Sequence, residues 1–346
     1  EIYQCDWSSD VCSSDLPWTL TDEHTHLAQL RAHVLNRDAI VGKLEPTTSV
    51  QRMPDPQRHI DHLQPWVRQF LAAQDLLFAL DWEGQSSSSG RAHCAMRLRQ
   101  GAALFQLERP SLGLFKDELT DVMSMADLRA ERAEEILTQI DHQWSFWSAL
   151  LPLRADLKPR TLEALQSVIW LCVSVEMRFK QVLGVRRPQE FSPQVQPVIT
   201  TPGHGSFPMG HATQAYAVAE TLRRLLRLNT TDLLAAQLER QAHRISINRI
   251  VAGVHFPVDL VAGMMLGKSL AAFAHACAQP SMTGVMTWSF SERDHRAHGQ
   301  AWASAEALAQ AAQGQQAGPA RWVIKPEQMP VWRRVWAHAE SEWGQG

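Results

Sequence analysis

Apolar residues recur at every third or fourth position over long stretches of the chain, which is the spacing of the buried face of an amphipathic helix. The same stretches are rich in Ala, Leu, Gln, Glu and Arg and poor in β-branched runs, a composition that favours helices. The pattern predicts six helical segments, at residues 58–80, 125–140, 160–184, 210–228, 231–253 and 256–278.

Local signals at the ends of three of these segments are typical of helix boundaries. Gly184 follows the last apolar position of the third segment, as a helix-ending glycine does. Thr230 or Thr231 is the candidate N-cap of the fifth segment, and Pro257 lies in the first turn of the sixth. We therefore expect the fold class to be all-α, with a helical bundle at residues 100–280.

Two peripheral regions flank the predicted bundle. Residues 17–99 are expected to form an N-terminal helical segment with a linker or exposed loop near residues 84–91, because EGQSSSSGR has the composition of a flexible linker. Residues 281–346 contain a low-complexity stretch and a Trp-rich end, and we expect them to wrap around the bundle. Residues 1–16 (EIYQCDWSSDVCSSDL) resemble the translation of a sequencing adapter, so we expect them not to be native.

Setting residues 1–16 aside changes what the composition implies. The formal charge moves from −3 to +1, which gives no indication of a nucleic-acid or anionic-membrane partner. Three scattered cysteines remain, so neither a disulfide framework nor a zinc site is expected. The most apolar stretch, residues 250–267, is interrupted by His255 and Asp259, so no membrane span is predicted. We expect a soluble bacterial protein, either cytoplasmic or periplasmic.

Three short segments place cations or imidazoles close to predicted helix ends. The first, KQVLGVRRP, separates Lys180 from Arg187 by six residues and ends at a proline. The second, TPGHGSFPMGHA, is a turn rich in Gly and Pro that runs into a helix with His211 in its first turn. The third, NRIVAGVHFPVD, places Arg249 six positions before His255.

Together these residue types suit the binding of an oxyanion. Arginine forks and a lysine bind tetrahedral oxyanions, and the free N–H groups at a helix N-terminus favour an anion. Asp259 follows His255 by four residues, so both are expected on one helical face, where the carboxylate would fix the tautomer of the imidazole. His211 would then be free to act as a general acid or base.

In this order and spacing, the three segments resemble the superfamily of type 2 phosphatidic acid phosphatases, bacterial acid phosphatases and vanadium-dependent haloperoxidases. The matching pattern is K-x6-RP, then P-x-G-H, then R-x5-H-x3-D, and the resemblance covers roughly residues 165–275. It implies a helical bundle of the acid phosphatase/vanadium haloperoxidase type, with peripheral segments at both ends and the site at the helix ends.

The resemblance also implies a role for each motif residue. The residues that would hold the oxygens of phosphate or vanadate are Lys180, Arg187, Gly210 and Arg249. His211 would protonate the leaving group. His255 would form a phosphohistidine in a phosphatase or bind vanadate in a haloperoxidase, and Asp259 would orient it.

Two positions depart from the pattern of this superfamily. The chain has Met209 and Asn248 where the superfamily usually has serine. A serine hydroxyl at position 209 would donate to an oxyanion oxygen, which a thioether cannot do. Losing one such donor costs about 2.7–4 kcal/mol of transition-state stabilisation. Met209 therefore indicates lower efficiency or a bulkier or less charged substrate, whereas Asn248 can still donate.

The sequence leaves three functions open. One is a phosphatase that needs no metal or cofactor and hydrolyses a small phosphorylated ester or anhydride, because the turn GSFPMGH resembles a turn of bacterial acid phosphatases. The second is a bromide-type haloperoxidase using vanadate, halide and peroxide, because His204 matches the second histidine of such enzymes. The third is a degenerate member that binds an anion without turnover. The His-rich stretches at residues 22–26 and 58–62 lie far from these motifs and are not expected to bind a metal.

Overall fold

The computed structural model describes the chain in several stretches. They are residues 31, 59–85, 91–99, 101–140, 143–279, 285–313, 316–320 and 328–344. The expectations for residues 1–16, for the His-rich stretch at 22–26 and for the serine run at 86–90 lie outside the described residues.

Helices make up most of the described structure. In chain order they are α1 (Pro65–Phe78), α2 (Leu112–Ser124), α3 (Arg129–Thr138), α4 (Gln143–Ser148), α5 (Pro159–Leu183), α6 (Pro188–Phe191), α7 (Gly210–Leu225), α8 (Leu233–Val251), α9 (Pro257–Ala278), α10 (Glu292–His298), α11 (Ala305–Gln313) and α12 (Pro330–Ser341).

Each helical segment predicted from the periodicity overlaps one of these helices, and two of the three helix ends predicted from local signals hold. Gly184 caps α5 in the left-handed conformation, with a φ of 56°, which lets the chain turn away from the helix. Pro257 is the first residue of α9, as expected. The N-cap of α8 is Asp232 rather than Thr230 or Thr231, so that helix begins slightly later than the sequence suggested.

The centre of the bundle is α7, which packs against α5, α8 and α9. Two glycines in α9 allow the backbones of α7 and α9 to approach closely. A Cβ atom on Gly263 would lie 2.5 Å from the carbonyl oxygen of Met209, and one on Gly267 would lie 2.3 Å from that of Thr213. This close packing fixes the N-terminus of α7 against the first turns of α9, where two of the three motifs meet.

The prediction of a strictly all-α fold is wrong, because the mostly helical structure also carries a small sheet. Its strands, in spatial order, are β1 (Leu80–Gln85), β2 (His93–Leu98), β3 (Ala103–Glu108), β4 (Val285–Phe290) and β5 (Gln316–Ala320). β3 and β4 pair in parallel, with Phe105 opposite Trp288, and the other neighbours are antiparallel. The sheet thus joins segments before and after the bundle, and β1 extends into the stretch expected to be a linker.

The C-terminal helix α12 packs across α1 and α5. One carboxylate oxygen of Asp75 in α1 accepts hydrogen bonds from the backbone N–H groups of Val331 (2.8 Å) and Trp332 (3.0 Å), which caps the start of α12. Arg68 of α1 also donates two hydrogen bonds to the buried carboxylate of Glu163 in α5. These bonds tie the segments that flank the bundle to its longest helix.

The prediction of a soluble protein without a membrane-length apolar stretch is wrong. Because α9 begins at Pro257, His255 lies outside this helix, and Asp259 and Lys268 are its two charged residues. Its 22 residues are long and apolar enough to cross a membrane, with a mean hydropathy of 1.4 over 18 residues, and 83% of that window is buried inside the protein. A membrane span and the core helix of a globular domain share these properties, so the sequence does not support solubility.

Candidate active site

The first motif lies at the C-terminal end of α5. Lys180 is buried there, and its ammonium group donates to the carbonyl oxygens of Gly205 (3.0 Å) and Ser206 (3.1 Å) in the turn before α7. Glu176 lies one turn earlier on the same helix and is also buried. Burial lowers the pKa of Lys180 to about 8 and raises that of Glu176 to about 7, while the attraction between the two charges opposes both shifts.

Arg187 links the first motif to the other two. Its Nη1 atom lies 2.8 Å from Nε2 of His255 and donates to the carbonyl oxygen of Val254 at 2.8 Å. Its Nε and Nη2 atoms donate to the carbonyl oxygens of His204 (3.2 Å) and Gly205 (3.3 Å). Arg187 is only 2% exposed, so this network holds a buried cation directly against the imidazole of the third motif.

His255 and Asp259 form the pair that the sequence predicted, but by a different geometry. Because α9 begins at Pro257, His255 precedes the N-cap residue Phe256, and the two residues do not share a helical face. Oδ2 of Asp259 lies 2.9 Å from Nδ1 of His255 and accepts the N–H of Phe256 at 2.9 Å. The carboxylate therefore closes the N-terminus of the helix and holds the imidazole at the same time.

This bonding defines the protonation of the His255 ring. An ionised carboxylate only accepts hydrogen bonds, so the proton lies on Nδ1, and the lone pair of Nε2 accepts from Arg187. Burial and the positive charges of Arg187 and Lys180 hold the pKa of His255 well below its usual range. Burial also raises the pKa of Asp259, against the effect of its hydrogen bond from Phe256. The resulting neutral imidazole presents a nucleophilic or ligating nitrogen.

The second motif forms the N-terminus of α7. Met209 is its N-cap residue and donates its N–H to the carbonyl oxygen of Asp259 at 2.9 Å. A Cβ atom on Gly210 would lie 2.7 Å from Oε1 of Glu176, which explains the glycine. The side chain of Met209 is fully buried in the hydrophobic core, so this residue contributes packing and backbone bonds at the position where the superfamily usually has serine.

His211 lies in the first turn of α7, and its Nε2 atom is 3.2 Å from the carbonyl oxygen of Gln139. A carbonyl oxygen only accepts, so this nitrogen carries a proton and the other nitrogen is the acceptor in the neutral ring. Burial and the nearby charge of Arg249 lower the pKa of His211 to about 3, and the charges of Lys180 and Arg187 act in the same direction. The ring is therefore surrounded by the cations of the other two motifs.

Arg249 lies near the end of α8 and is fully buried. Its Nη2 atom donates to the carbonyl oxygen of Ile136 (2.8 Å) and to Oε1 of Gln139 (3.1 Å). Its Nε and Nη1 atoms have no hydrogen-bond partner among the described residues. Burial lowers the pKa of Arg249 to about 10, so the group stays charged at neutral pH although two of its nitrogens lack an acceptor.

His204 lies at the edge of this cluster. The residue is exposed, and its Nδ1 atom is 3.2 Å from Nη2 of Arg187 and 3.1 Å from the carbonyl oxygen of Gly205. Burial of part of the ring and the charges of Lys180 and Arg187 lower the pKa of His204. The imidazole is thus positioned against an arginine of the first motif.

The structure brings the three motifs together at one end of the bundle. Contacts of Arg187 join the first motif to His255, and the cations of the first and third motifs act on the pKa of His211 in the second. Within the described part of the chain, Lys180, Arg187 and Arg249 form no ion pair with a carboxylate. Buried cations of this kind are costly unless they are paired, so the cluster is suited to an anionic ligand.

Sequence reasoning missed two neighbours of this site and the contact made by a third. Glu176 is a single acid inside an apolar helix, and Gln139 is a single amide at the end of a helix far from the motifs. Asn248 was recognised only as a departure from the pattern, whereas it hydrogen-bonds Gln139 at 3.0 Å. The four-residue spacing from Glu176 to Lys180 was the one local signal that could have identified any of them.

Comparisons with known proteins agree with the motifs. Residues 162–282 match the model of the PAP2 superfamily. A decaprenylphosphoryl-5-phosphoribose phosphatase of Mycobacterium tuberculosis is 32% identical over 88 residues, which are 25% of this chain and 46% of that protein. The protein of the same name from Mycolicibacterium smegmatis is 29% identical over 120 residues, 35% of this chain and 62% of that protein. The chain thus spans about half the length of the curated relatives it matches.

Among solved structures, the chain is similar to a transmembrane PAP2-type phosphatidylglycerolphosphate phosphatase from Bacillus subtilis. The sequence identity is 14%, the alignment covers 71% of this chain and 91% of the other, and the TM-score is 0.26. The family resemblance stated from the three motifs is confirmed by the family match.

Proposed function

Because residues 162–282 match the model of the PAP2 superfamily, we propose that this protein is a phosphatase that hydrolyses a phosphoric ester at the site formed by the three motifs. The observation that carries the proposal is the set of three buried cations without a carboxylate partner among the described residues, Lys180, Arg187 and Arg249. A phosphate group supplies the negative charge that all three side chains lack and the hydrogen-bond acceptors that Nε and Nη1 of Arg249 lack. The relatives named above, which are phosphatases by name, support the same reaction class.

In the proposed reaction, Nε2 of His255 attacks the phosphorus atom. The N–P bond forms as the P–O bond to the leaving group breaks, and His211 donates its proton to the leaving oxygen. Water then attacks the phosphohistidine, His211 takes a proton from that water, and phosphate is released. Asp259 stabilises the positive charge that develops on the His255 ring.

Substrate binding must change one contact and one protonation state before this reaction can begin. Nη1 of Arg187 is bound to the lone pair of His255, so a phosphate group has to draw the guanidinium onto its own oxygens. The low pKa of His211 also means that the free site holds this ring neutral at pH 7. A bound phosphate dianion offsets the cations around His211, raises its pKa and so favours the protonated form that a general acid needs. Binding of the dianion is therefore accompanied by proton uptake.

A haloperoxidase is the second candidate. His204 matches the second histidine of bromide-type enzymes, and its contact with Arg187 places it beside the site. Vanadate is a tetrahedral oxyanion, so the same unpaired donors of Arg249 suit it, and Nε2 of His255 would be its protein ligand. When bound, vanadate would supply the activation of peroxide. The residues of this chain would hold its oxygens and orient the imidazole. The phosphatase proposal, by contrast, needs no cofactor.

Two assays on the same purified protein test the proposal. We expect hydrolysis of a chromogenic phosphate monoester, inhibition by vanadate and loss of activity in His255→Ala, whereas His93→Ala, an exposed histidine on β2, should retain activity. Bromination in the presence of vanadate and peroxide, without ester hydrolysis, would favour the haloperoxidase. Binding of phosphate with neither activity would identify a non-catalytic anion-binding protein. A panel that includes 5-phosphosugars then tests whether the substrate resembles that of the named relatives.

A further inference from the structure

Gln139 lies at the C-terminal end of α3, outside the region that matches the PAP2 superfamily. It is fully buried, although it ends a helix whose neighbouring positions Thr138 and Ile140 are exposed. Its carbonyl oxygen lies 3.2 Å from Nε2 of His211, and its side-chain Oε1 accepts from Nη2 of Arg249 at 3.1 Å.

The orientation of the Gln139 amide is fixed by its other partners. Its Nε2 atom donates to the carboxylate of Glu135 at 3.0 Å, and its Oε1 atom accepts from Nδ2 of Asn248 at 3.0 Å. Glu135 is held in turn by three hydrogen bonds from the guanidinium of Arg244. The oxygen of the amide therefore faces the site, and its nitrogen faces away from it.

Asn248 connects Gln139 to Arg132 of α3. Its Oδ1 atom accepts from Arg132 of α3 at 3.3 Å while its amide nitrogen donates to Gln139. A serine at this position, as is usual in the superfamily, has one short hydroxyl and lacks the separate oxygen and nitrogen atoms that bridge two partners. The asparagine at position 248 is thus explained by its hydrogen bond to Gln139.

Two oxygen atoms of Gln139, its backbone carbonyl oxygen and Oε1, accept hydrogen bonds from groups that the proposed reaction needs. Arg249 would bind phosphate and His211 would protonate the leaving group, yet each is bonded to Gln139 in the free protein. Two further donors of Arg249 remain without a partner among the described residues. The bond from Arg249 to Gln139 joins a charged donor to a neutral amide oxygen, whereas a phosphate oxygen is itself charged and allows two parallel bonds to the guanidinium, so phosphate is a better partner than the amide.

We propose that Gln139 is a further residue of the phosphate pocket, which holds Arg249 and His211 in the free protein and is displaced from them when a phosphate group binds. This inference rests on the proposed function. It makes Gln139 a competitor of the substrate oxygens. Because Gln139 ends α3, this helix, which lies outside residues 162–282, would also contribute to the anion selectivity of the site.

The test measures binding of inorganic phosphate to the full chain by titration calorimetry, together with KM and kcat. In Gln139→Ala the competing oxygen is removed, so the Kd for phosphate should fall about threefold to tenfold. In Gln139→Glu a carboxylate replaces the amide oxygen beside Arg249, so the Kd should rise at least about tenfold at pH 8 and less at pH 5. Thr138→Ala is the matched control, because Thr138 is exposed and its hydroxyl donates within its own helix.

A second variant keeps the test decisive if Gln139 variants fold poorly, as thermal unfolding followed by circular dichroism would reveal. Asn248→Ser leaves Gln139 in place and removes the bridge that holds it, so phosphate should again bind more tightly than in the wild type. An unchanged Kd in both Gln139→Ala and Asn248→Ser, or weaker binding in both, would overturn the inference.

The same measurements separate this inference from the proposed function. Ester hydrolysis by the wild type without a shift of Kd in the variants would overturn the role of Gln139 alone. Phosphate binding that shifts as expected, in a protein that hydrolyses no ester, would overturn the phosphatase and leave Gln139 as a residue of an anion pocket.

Discussion

Nδ1 of His255 lies 2.9 Å from Oδ2 of Asp259, and the same oxygen accepts the N–H of Phe256 at 2.9 Å. One carboxylate oxygen thus stabilises the start of α9 and orients the imidazole. The other oxygen, Oδ1, has no hydrogen-bond partner among the described residues. The structure of the helix end and the orientation of the proposed nucleophile therefore depend on the same side chain.

Replacing Asp259 by asparagine should separate two effects of this side chain, its orientation of the His255 ring and its negative charge. The amide oxygen can accept both bonds of Oδ2, so we expect the fold and KM to change little. The negative charge opposite the developing imidazolium is lost, and kcat should fall roughly 100-fold to 1000-fold. Steady-state kinetics with Asp156→Asn, an exposed aspartate outside the site, as the control would check this. A kcat within a few-fold of the wild type would mean that the carboxylate serves the helix end only.

Arg187→Lys tests whether the planar fork, rather than positive charge alone, is required. The guanidinium reaches His255, His204 and the surrounding carbonyl oxygens with three different nitrogens, and one ammonium group cannot replace them. We expect KM and the inhibition constant of vanadate to rise by roughly tenfold or more, which corresponds to about 1.4 kcal/mol. Arg186→Lys, at the exposed neighbouring residue, should leave both constants unchanged. Equal effects of the two substitutions would argue against a specific role for Arg187.

Much of the site could be predicted from the sequence, because the three motifs lie at helix ends that the periodicity and the Gly and Pro signals had already located. Lys180 and Arg187 flank the turn after α5, and His255 and Asp259 flank the start of α9. The assembly of these ends follows from the close packing of α7 and α9. The local sequence signals that located the helix ends therefore also located the residues of the candidate site.

What the sequence did not reveal depends on contacts between distant residues. β3 pairs with β4 through Phe105 and Trp288, which no local pattern connects, so the sheet was missed. Gln139 is one polar residue at the end of an amphipathic helix, and only the folded chain shows that it points toward Arg249. The apolar length of α9 was underestimated because the stretch considered was residues 250–267, which His255 interrupts, whereas the helix begins after His255 and runs to Ala278.

Glu176→Gln should change how stability depends on pH. Burial raises the pKa of Glu176 from 4.5 to about 7, so between these values the folded chain keeps a proton that the unfolded chain releases. This group therefore stabilises the fold fully below pH 4.5, and its contribution is lost as pH rises through about 7. A glutamine can keep the bond from Gln214 and does not titrate.

Urea unfolding at pH 5 and pH 8 measures this difference. We expect the free energy of unfolding of Glu176→Gln, measured relative to that of the wild type, to be higher at pH 8 than at pH 5. Glu134→Gln, at an exposed position of α3, should show no such increase. Parallel pH profiles for Glu176→Gln and the wild type would mean that the buried carboxylate stays charged beside Lys180.

Met209→Ser tests whether the departure from the superfamily pattern is a defect of the site or part of this fold. The Met209 side chain is fully buried in the hydrophobic core, so truncation should cost about 2–5 kcal/mol, of which a new serine N-cap would offset about 1 kcal/mol. We expect the free energy of unfolding to fall and kcat to stay level or decrease, because the space left by the thioether loosens the start of α7 beside Gly210. Urea unfolding and kcat of the same preparation check both parts, with Met123→Ser, at an exposed position of α2, as the control. An increase of kcat despite lower stability would instead show that a hydroxyl at position 209 reaches the phosphate, and that Met209 limits turnover.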